Sequence, residues 1–440
     1  MEWKRLISDR RLGLEELHSE GSQMRSDFQR DYDRMIFSSP FRRMQNKTQV
    51  FPLPGSIFVH NRLTHSLEVS TVGRSISREV LMRMHQQKKY SDEFNLLLNI
   101  PDIVATACLC HDLGNPPFGH SGEKTISTWF SEGPGVSLQN QLSPQQWSDL
   151  INFEGNANSF RLLTHQFVGR RKGGFAMTYS TLGTLVKYPW TSEHAGTKGK
   201  FGFFESEENL YRRVAEWLGI PEISQGVFAR HPLVYLMEAA DDICYQIMDI
   251  EDAHRLKILT TEEAATYLLA FFEEKRREKL RRGMGYLDDP NEKISYLRSS
   301  VIGVLVEQSA DTFVRNLKPI MDGETVGALV NILPELQRDA YKSCSEMAYQ
   351  RIYCAADVVD VDLAGNRIIS YLLDILMDAV LNPSKNYSQL LLTKMPRQYD
   401  FNSPSIYGRI QAVLDHVSGM TDVYALDLFR KLNGHSLPAV

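Results

Sequence analysis

Between Arg62 and Lys89 apolar side chains recur at Leu63, Leu67, Val72, Ile76, Val80 and Met84, and the same spacing runs through most of the 440 residues. Steps of three and four residues place side chains on one face of a helix, not on alternate faces of a strand. A chain patterned this way buries helical stripes against one another, so the fold class predicted is all-α. Further helices are expected over Asp102–Leu113, with Pro101 before it and Gly114 ending it, and from near Ser121 onward. Others are expected over Pro232–Ala253, Thr260–Arg282, Asn291–Met321, Val326–Ile352 and Ala364–Leu381. The stretch Gly169–Ser206 departs from the pattern, being richer in Gly, Pro and aromatic residues. Within it Lys200-Phe201-Gly202-Phe203-Phe204 reads as a short β excursion, one β-hairpin in a helical chain, on either a flap or an irregular connection.

A net charge of −5 gives the whole molecule no general attraction to nucleic acid or anionic membranes. A phosphate site must then be a local concentration of positive charge. The five cysteines carry no CxxC spacing and read as reduced core residues of a cytosolic protein, Cys108 and Cys110 included. Met1–Arg11 lacks the apolar stretch of a signal peptide, and no run of about 18 apolar residues suggests a membrane span. The basic run from Lys275 to Arg282 reads first as a solvated helix end, with a nucleic-acid or anionic-ligand patch as the alternative. No repeat or sharp linker divides the chain.

Three segments concentrate ionisable residues: Arg62-Leu63-Thr64-His65-Ser66, the string from His111 to Glu123, and Glu238-Ala239-Ala240-Asp241-Asp242. His111 and Asp112 end the apolar run Ile103, Val104, Ala105, Ala107 and Leu109, where burying two adjacent ionisable groups is costly without compensation. Asp241 and Asp242 lie in an equally apolar context. Two imidazoles and two carboxylates suit one divalent transition ion with positions left open for water and substrate. Asp241, Tyr245 and Asp249 follow an i, i+4, i+8 series on one helix face. Arg62 with His65, and His120 with Glu123, are i, i+3 neighbours. Helical spacing alone leaves Asp242 as eligible as Asp241. Gly119-His120-Ser121-Gly122 is not a nucleophile elbow, and P-loop and dinucleotide glycine patterns are absent.

The order His…His-Asp…Asp resembles the HD superfamily of metal-dependent phosphohydrolases. The longer strings Thr48-Gln49-Val50-Phe51-Pro52, Arg62–Val69, HDLGNPPFGHSGE, Phe153-Glu154-Gly155-Asn156-Ala157, Lys187-Tyr188-Pro189 and EAADDICY are similar to bacterial dGTP triphosphohydrolases. Asn158 departs from that family's glutamine in the place after Ala157. The similarity is dense from Phe41 to Arg255 and thinner beyond. It implies a helical HD core over 56–255, an N-terminal segment 1–55 that packs on the core and contributes to the substrate site, and a C-terminal helical region 256–440 continuous with the core.

By position, the resemblance makes His65, His111, Asp112 and Asp241 metal ligands, its Ala-Asp pattern selecting Asp241 over Asp242. His120 and Glu123 match the catalytic pair, with His120 as general acid or as proton shuttle. Gln49, Arg62, Lys187, Tyr188, Tyr245 and Asp249 match substrate-holding positions. Gln49 and Asp249 would bind the 3′-hydroxyl, Tyr245 would pack on the deoxyribose, and Arg62 and Lys187 would meet phosphate oxygens. The implied activity is hydrolysis of a dNTP, dGTP first, to deoxynucleoside and triphosphate by attack at the α-phosphorus. The implied cofactor is one divalent ion per subunit, Mn²⁺ or Mg²⁺, with Fe²⁺, Zn²⁺, Co²⁺ or Ni²⁺ also chemically suited. A homo-oligomer, hexameric in many relatives, and control by a nucleotide or nucleic-acid effector are implied as well. Other HD phosphohydrolases, acting as nucleotidases or phosphodiesterases, and a nucleotide sensor without turnover are the alternative readings.

Overall fold

The computed structural model describes residues 1–16, 25–51 and 59–436; Pro52 and the expected boundary after residue 55 lie outside them. Every long element is helical, and among the described residues the one sheet is a two-stranded antiparallel hairpin. Its helices that matter for the site are α1 (Arg62–His85), α2 (Ile100–Cys110), α3 (Gly119–Ser131), α4 (Gly155–Thr164), α5 (Val234–Arg255), α6 (Pro290–Arg315), α7 (Ala356–Leu381), α8 (Ile406–Ser418) and α9 (Asp422–Leu432). No single described helix is long and apolar enough to cross a membrane.

Local chemistry sets the ends that position functional groups. Asn61 and Thr64 form a reciprocal capping box, which starts α1 at Arg62 and fixes where Arg62 and His65 emerge. Helix α2 opens on Pro101 and ends at Cys110, three residues short of the expected Leu113. Leu113 instead bonds back to Cys110 at 3.2 Å and Asn115 to Asp112 at 3.3 Å, because Pro116 and Pro117 offer no N–H to extend the ladder. His111 and Asp112 therefore lie in a turn just past the helix.

Several expected helices are broken. The pattern after Met84 loosens, and α1 yields to a 3₁₀ turn over Lys88–Glu93. Thr260–Arg282 is two helices, Thr261–Leu269 and Glu274–Met284; the break lets adjacent Phe271 and Phe272 both bury, while the Arg277 guanidinium caps the freed carbonyl of Leu269 at 3.1 Å. The expected Asn291–Met321 helix is interrupted at Asn316, and Pro334 delays the next until Glu335. The β excursion expected at Lys200–Phe204 is not a strand. The hairpin lies instead at β1 (Glu222–Ser224) and β2 (Val227–Phe228).

The reason lies in the core, which forms two apolar clusters. One gathers α1, α2, α5 and α6 with the N-terminal residues; the other gathers α3, the end of α7, α8 and Ala425 of α9. Phe203 enters the first cluster, whereas Phe201 and Phe204 enter the second. Strand alternation would send Phe201 and Phe203 to one face. The segment is an irregular staple joining the cores. All five cysteines are free and four are buried.

Candidate metal and catalytic site

Helices of both clusters converge on one cavity of about 250 Å³. His65 from α1, His111 after α2 and Asp241 from α5 bring their ligand atoms within 4.8 Å of one another. His65 Nε2 lies 3.2 Å and His111 Nε2 3.4 Å from Asp241 Oδ1. His111 Nδ1 donates to the Cys108 carbonyl at 2.6 Å, so Nε2 is the nitrogen turned toward the cluster, and it is buried without a hydrogen-bond partner. Asp112 adjoins the trio, with Oδ1 3.6 Å from His111 Nε2 and Oδ2 held by Arg62 Nη1 at 2.7 Å.

Electrostatics favours a cation here. Burial works against a charged His111, yet Asp112 and Asp241 overcome it and hold its pKa at about 9. Burial likewise opposes ionised Asp112, but Arg62, His111 and His65 bring it down to about 2. Asp241 is half-buried; desolvation opposes its charge, yet His111 and His65 hold it well below the usual carboxylate range. Asp242 behaves oppositely: burial pushes it up to about 7 despite Lys187. Of the adjacent pair, Asp241 faces both imidazoles and stays anionic. An unpartnered imidazole nitrogen beside two anionic carboxylates is a donor set that fits a divalent ion.

His120 and Glu123 stand on the first turn of α3. Phe118 and Gly119 take φ of 61° and 59°, a left-handed bend that turns the chain into the helix. A β-carbon at Gly119 would strike Arg62 Nη2, so the guanidinium passes directly over it. His120 Nδ1 bonds Glu123 Oε2 at 2.9 Å, and Glu123 Oε1 accepts from the Gly155 amide at 2.8 Å. The His120 side chain is 69% exposed whereas Glu123 is 10% exposed, so a sheltered carboxylate orients an accessible ring. Glu123 raises the His120 pKa above its ordinary value.

The substrate-holding candidates divide. Gln49, Arg62, Lys187, Tyr188 and Tyr245 line the same cavity. Gln49 Oε1 is buried without a partner. Lys187 Nζ lies 3.6 Å from Glu238 and 3.9 Å from Asp241; burial would discharge it, but Asp242 and its neighbours keep it a cation. The Tyr245 ring stands edge-on to His65 at 6.4 Å. Asp249 is not on the cavity wall. It lies one turn beyond Tyr245, buried, and accepts from the Tyr353 hydroxyl at 2.7 Å.

Residues 62–141 match the HD domain family and residues 332–431 the phosphohydrolase-associated domain. The chain is similar, at 36% identity over all of both chains, to a deoxyguanosinetriphosphate triphosphohydrolase-like protein of Pseudomonas aeruginosa. A like-named Synechocystis protein is 35% identical over 99% of this chain and all of its own. The deoxyguanosinetriphosphate triphosphohydrolase of Yersinia enterocolitica is 31% identical over 92% of this chain and 93% of its own. This chain belongs to the deoxyguanosinetriphosphate triphosphohydrolase family of HD hydrolases. HD domains are metal-dependent hydrolases, which agrees with the His/Asp cluster.

For this family member the structure adds residues that sequence reasoning did not single out. Lys200 lines the cavity, with Nζ 2.5 Å from Glu154 and 3.9 Å from Glu123. Asn115 bonds Asp112 Oδ1 from the loop. Lys47 is buried and donates to the carbonyls of Asn115 at 2.6 Å and Ser418 at 2.7 Å. Asp422, first residue of α9, accepts from the amides of Phe118 at 2.9 Å and Thr48 at 2.8 Å. Only Lys200 had a sequence signal, a cation beside the aromatic staple. Asn158 Nδ2 donates to the Gly114 carbonyl at 2.7 Å, so it braces the loop and does not face the cavity.

Proposed function

We propose that this hydrolase cleaves a deoxynucleoside triphosphate, dGTP being the first candidate, to deoxynucleoside and triphosphate. The observation that carries the reading is the His120–Glu123 pair sharing one cavity with the His65–His111–Asp241 cluster and with Arg62, Lys187 and Lys200. His65, His111, Asp112 and Asp241 would hold the divalent ion, Mn²⁺ or Mg²⁺. Such an ion, when bound, supplies Lewis acidity toward phosphoryl oxygens and acidifies water.

The chain's own groups account for the rest. Arg62, Lys187 and Lys200 meet the triphosphate oxygens, and Tyr188 lies beside them. Water adds to the α-phosphorus, its surplus proton passing to solvent, from which His120 is later reprotonated, and the bond from phosphorus to the 5′-oxygen breaks. His120, tied at Nδ1 and raised in pKa by Glu123, enters protonated and gives its Nε2 proton to the departing 5′-oxygen. In this reading His120 acts as general acid, not as proton shuttle. Gln49 Oε1 accepts the 3′-hydroxyl. Tyr245, backed by Tyr353 at a ring separation of 6.0 Å, packs on the deoxyribose where a 2′-hydroxyl would collide. Asp249 acts through Tyr353. A cytoplasmic homo-oligomer is the setting such a nucleotide enzyme implies.

The test incubates purified, Mn²⁺-loaded protein with each dNTP and with GTP, and resolves products by chromatography. Triphosphate plus deoxynucleoside, with GTP spared, is expected. Pyrophosphate or monophosphate products would overturn the site of attack, and no turnover of any nucleotide would leave the sensor reading.

A further inference from the structure

A second cavity, of about 160 Å³, shares no lining residue with the catalytic one; Arg43, His165, Phe167, Arg170, Phe175 and Tyr399 form much of its wall. Its charges are unbalanced. Elsewhere in this chain buried guanidinium groups close on carboxylates: Arg11 on Asp27, Arg62 on Asp112, Arg161 on Asp415, Arg230 on Glu238. Arg43 is half-buried, yet no described carboxylate pairs with it. Burial and the neighbouring Arg170 charge both press its pKa down, and the phenol of Tyr399 is the group that opposes them. The nearby acids are already spent: Glu207 lies 2.6 Å and Asp415 2.8 Å from Arg161.

The positive field of Arg43 reaches inward. Burial and then Arg43 hold the pKa of Lys47 at about 7 and that of His416 at about 4. His416 Nε2 is buried without a hydrogen-bond partner. Of the basic residues lining the hollow, His165 has Glu207 at 3.6 Å, whereas neither Arg43 nor Arg170 has an ion-pair partner among the described residues. Desolvated, unpaired cations are costly, and an anionic ligand removes that cost. Arg170 is exposed at the rim, and Phe167 and Tyr399, edge-to-face at 5.7 Å, offer an aromatic wall.

We propose that this cavity binds a phosphate group, free or carried on a nucleotide, between the guanidinium groups of Arg43 and Arg170. Its volume admits the phosphate itself; a nucleoside would lie outward along Phe167 and Tyr399. The site bears on catalysis through Lys47, which bonds Asn115 of the loop following the metal-binding His111 and Asp112. An anion beside Arg43 relieves the repulsion on Lys47 and firms that loop.

The test is calorimetric titration of the Mg²⁺-loaded protein with inorganic phosphate and, separately, with deoxyadenosine 5′-monophosphate. Arg43→Gln and Arg170→Gln should each weaken phosphate binding at least tenfold, while Lys187→Gln in the catalytic cavity leaves it unchanged. Tighter binding of the monophosphate than of phosphate, lost in Arg43→Gln, identifies a nucleotide as occupant; equal binding identifies free phosphate. Unaltered affinity in both arginine variants, or loss in Lys187→Gln alone, would overturn the proposal. Arg170 is exposed, so its variant decides the matter even if Arg43→Gln fails to fold. The readout is binding, so it stands apart from whether any dNTP is turned over.

Discussion

Replacing Asp422 with alanine tests whether the last helix sets the catalytic loop. Its two carboxylate oxygens take the amides of Phe118 and Thr48, at 2.9 and 2.8 Å, from segments lying 304 and 374 residues away in sequence. Thr48 is buried and precedes Gln49, while Phe118 precedes Gly119 and His120. Alanine leaves two amides without an acceptor, each costing about 1–3 kcal/mol, so a loss of about 3 kcal/mol is expected where water reaches one of them. That is a large part of a stability of about 5–15 kcal/mol. Asparagine keeps one acceptor oxygen and should lose roughly half as much. Phe118 at φ 61° is held in a region that disfavours non-glycine residues, so freeing its amide lets the bend relax and carries His120 with it. A shift of about 1 Å costs up to about 100-fold in rate, and we expect kcat to fall at least about tenfold in the folded variant. Urea unfolding and steady-state dNTP hydrolysis measure the two effects. An alanine variant within about 1 kcal/mol and twofold of the parent would refute the reasoning.

His111→Ala and Asp241→Ala should lose bound Mn²⁺ on desalting, read by elemental analysis, whereas His120→Ala should keep the ion and lose about 100- to 10,000-fold in kcat. Retained stoichiometric metal in either ligand variant would undo the ligand assignment. Glu123 raises the pKa of His120, and an acid acts only while protonated. Activity should therefore fall as pH rises through that raised pKa, and Glu123→Gln should move this alkaline limb to lower pH; an unmoved limb would exclude His120 as the acid. A β-carbon at Gly155 would overlap Asn115 Oδ1 and Glu123 Oε1. Gly155→Ala should thus cut kcat without lowering the unfolding midpoint to the same degree, and a fully active variant would contradict the packing seen there.

What could be read from the sequence, and what could not, follows from the range of the interactions. His111 with Asp112, and Asp241 with Asp242, stood out because ionisable groups interrupt apolar stretches, a local anomaly, whereas the family resemblance singled out His65 and chose Asp241 over Asp242. The helices α1 and α5 followed from periodicity for the same reason. Breaks inside helices did not, because Phe271 and Phe272 are buried by tertiary packing that a 3.6-residue pattern cannot express. The staple at Phe201–Phe204 mimics a strand in composition, and only the presence of two cores shows why it is none. Lys47 and Asp422 act across long separations, through carbonyls and amides that every residue carries, so nothing in their neighbours marks them.

The charge balance of the catalytic cavity leads to a last expectation. Each cation there already faces an acid: Arg62 Asp112 at 2.7 Å, Lys187 Glu238 at 3.6 Å, and Lys200 Glu154 at 2.5 Å. A triphosphate entering the metal-free cavity must compete with those carboxylates for the same donors, and it meets Asp241 and Glu123 as like charges. A divalent ion, if held by His65, His111 and Asp241 as proposed, would neutralise part of that field and free Lys187, 3.9 Å from Asp241, to turn toward phosphate. Metal and nucleotide should therefore bind with positive coupling, which linkage makes reciprocal. A non-hydrolysable dGTP analogue, titrated calorimetrically, should bind at least about tenfold more tightly with Mn²⁺ than after chelation, about 1.4 kcal/mol of coupling. Lys187→Gln should reduce that difference, since the freed cation is part of it. Equal affinity with and without the ion would mean that the acids of the cavity do not oppose the substrate, and the arrangement of paired charges would need another explanation.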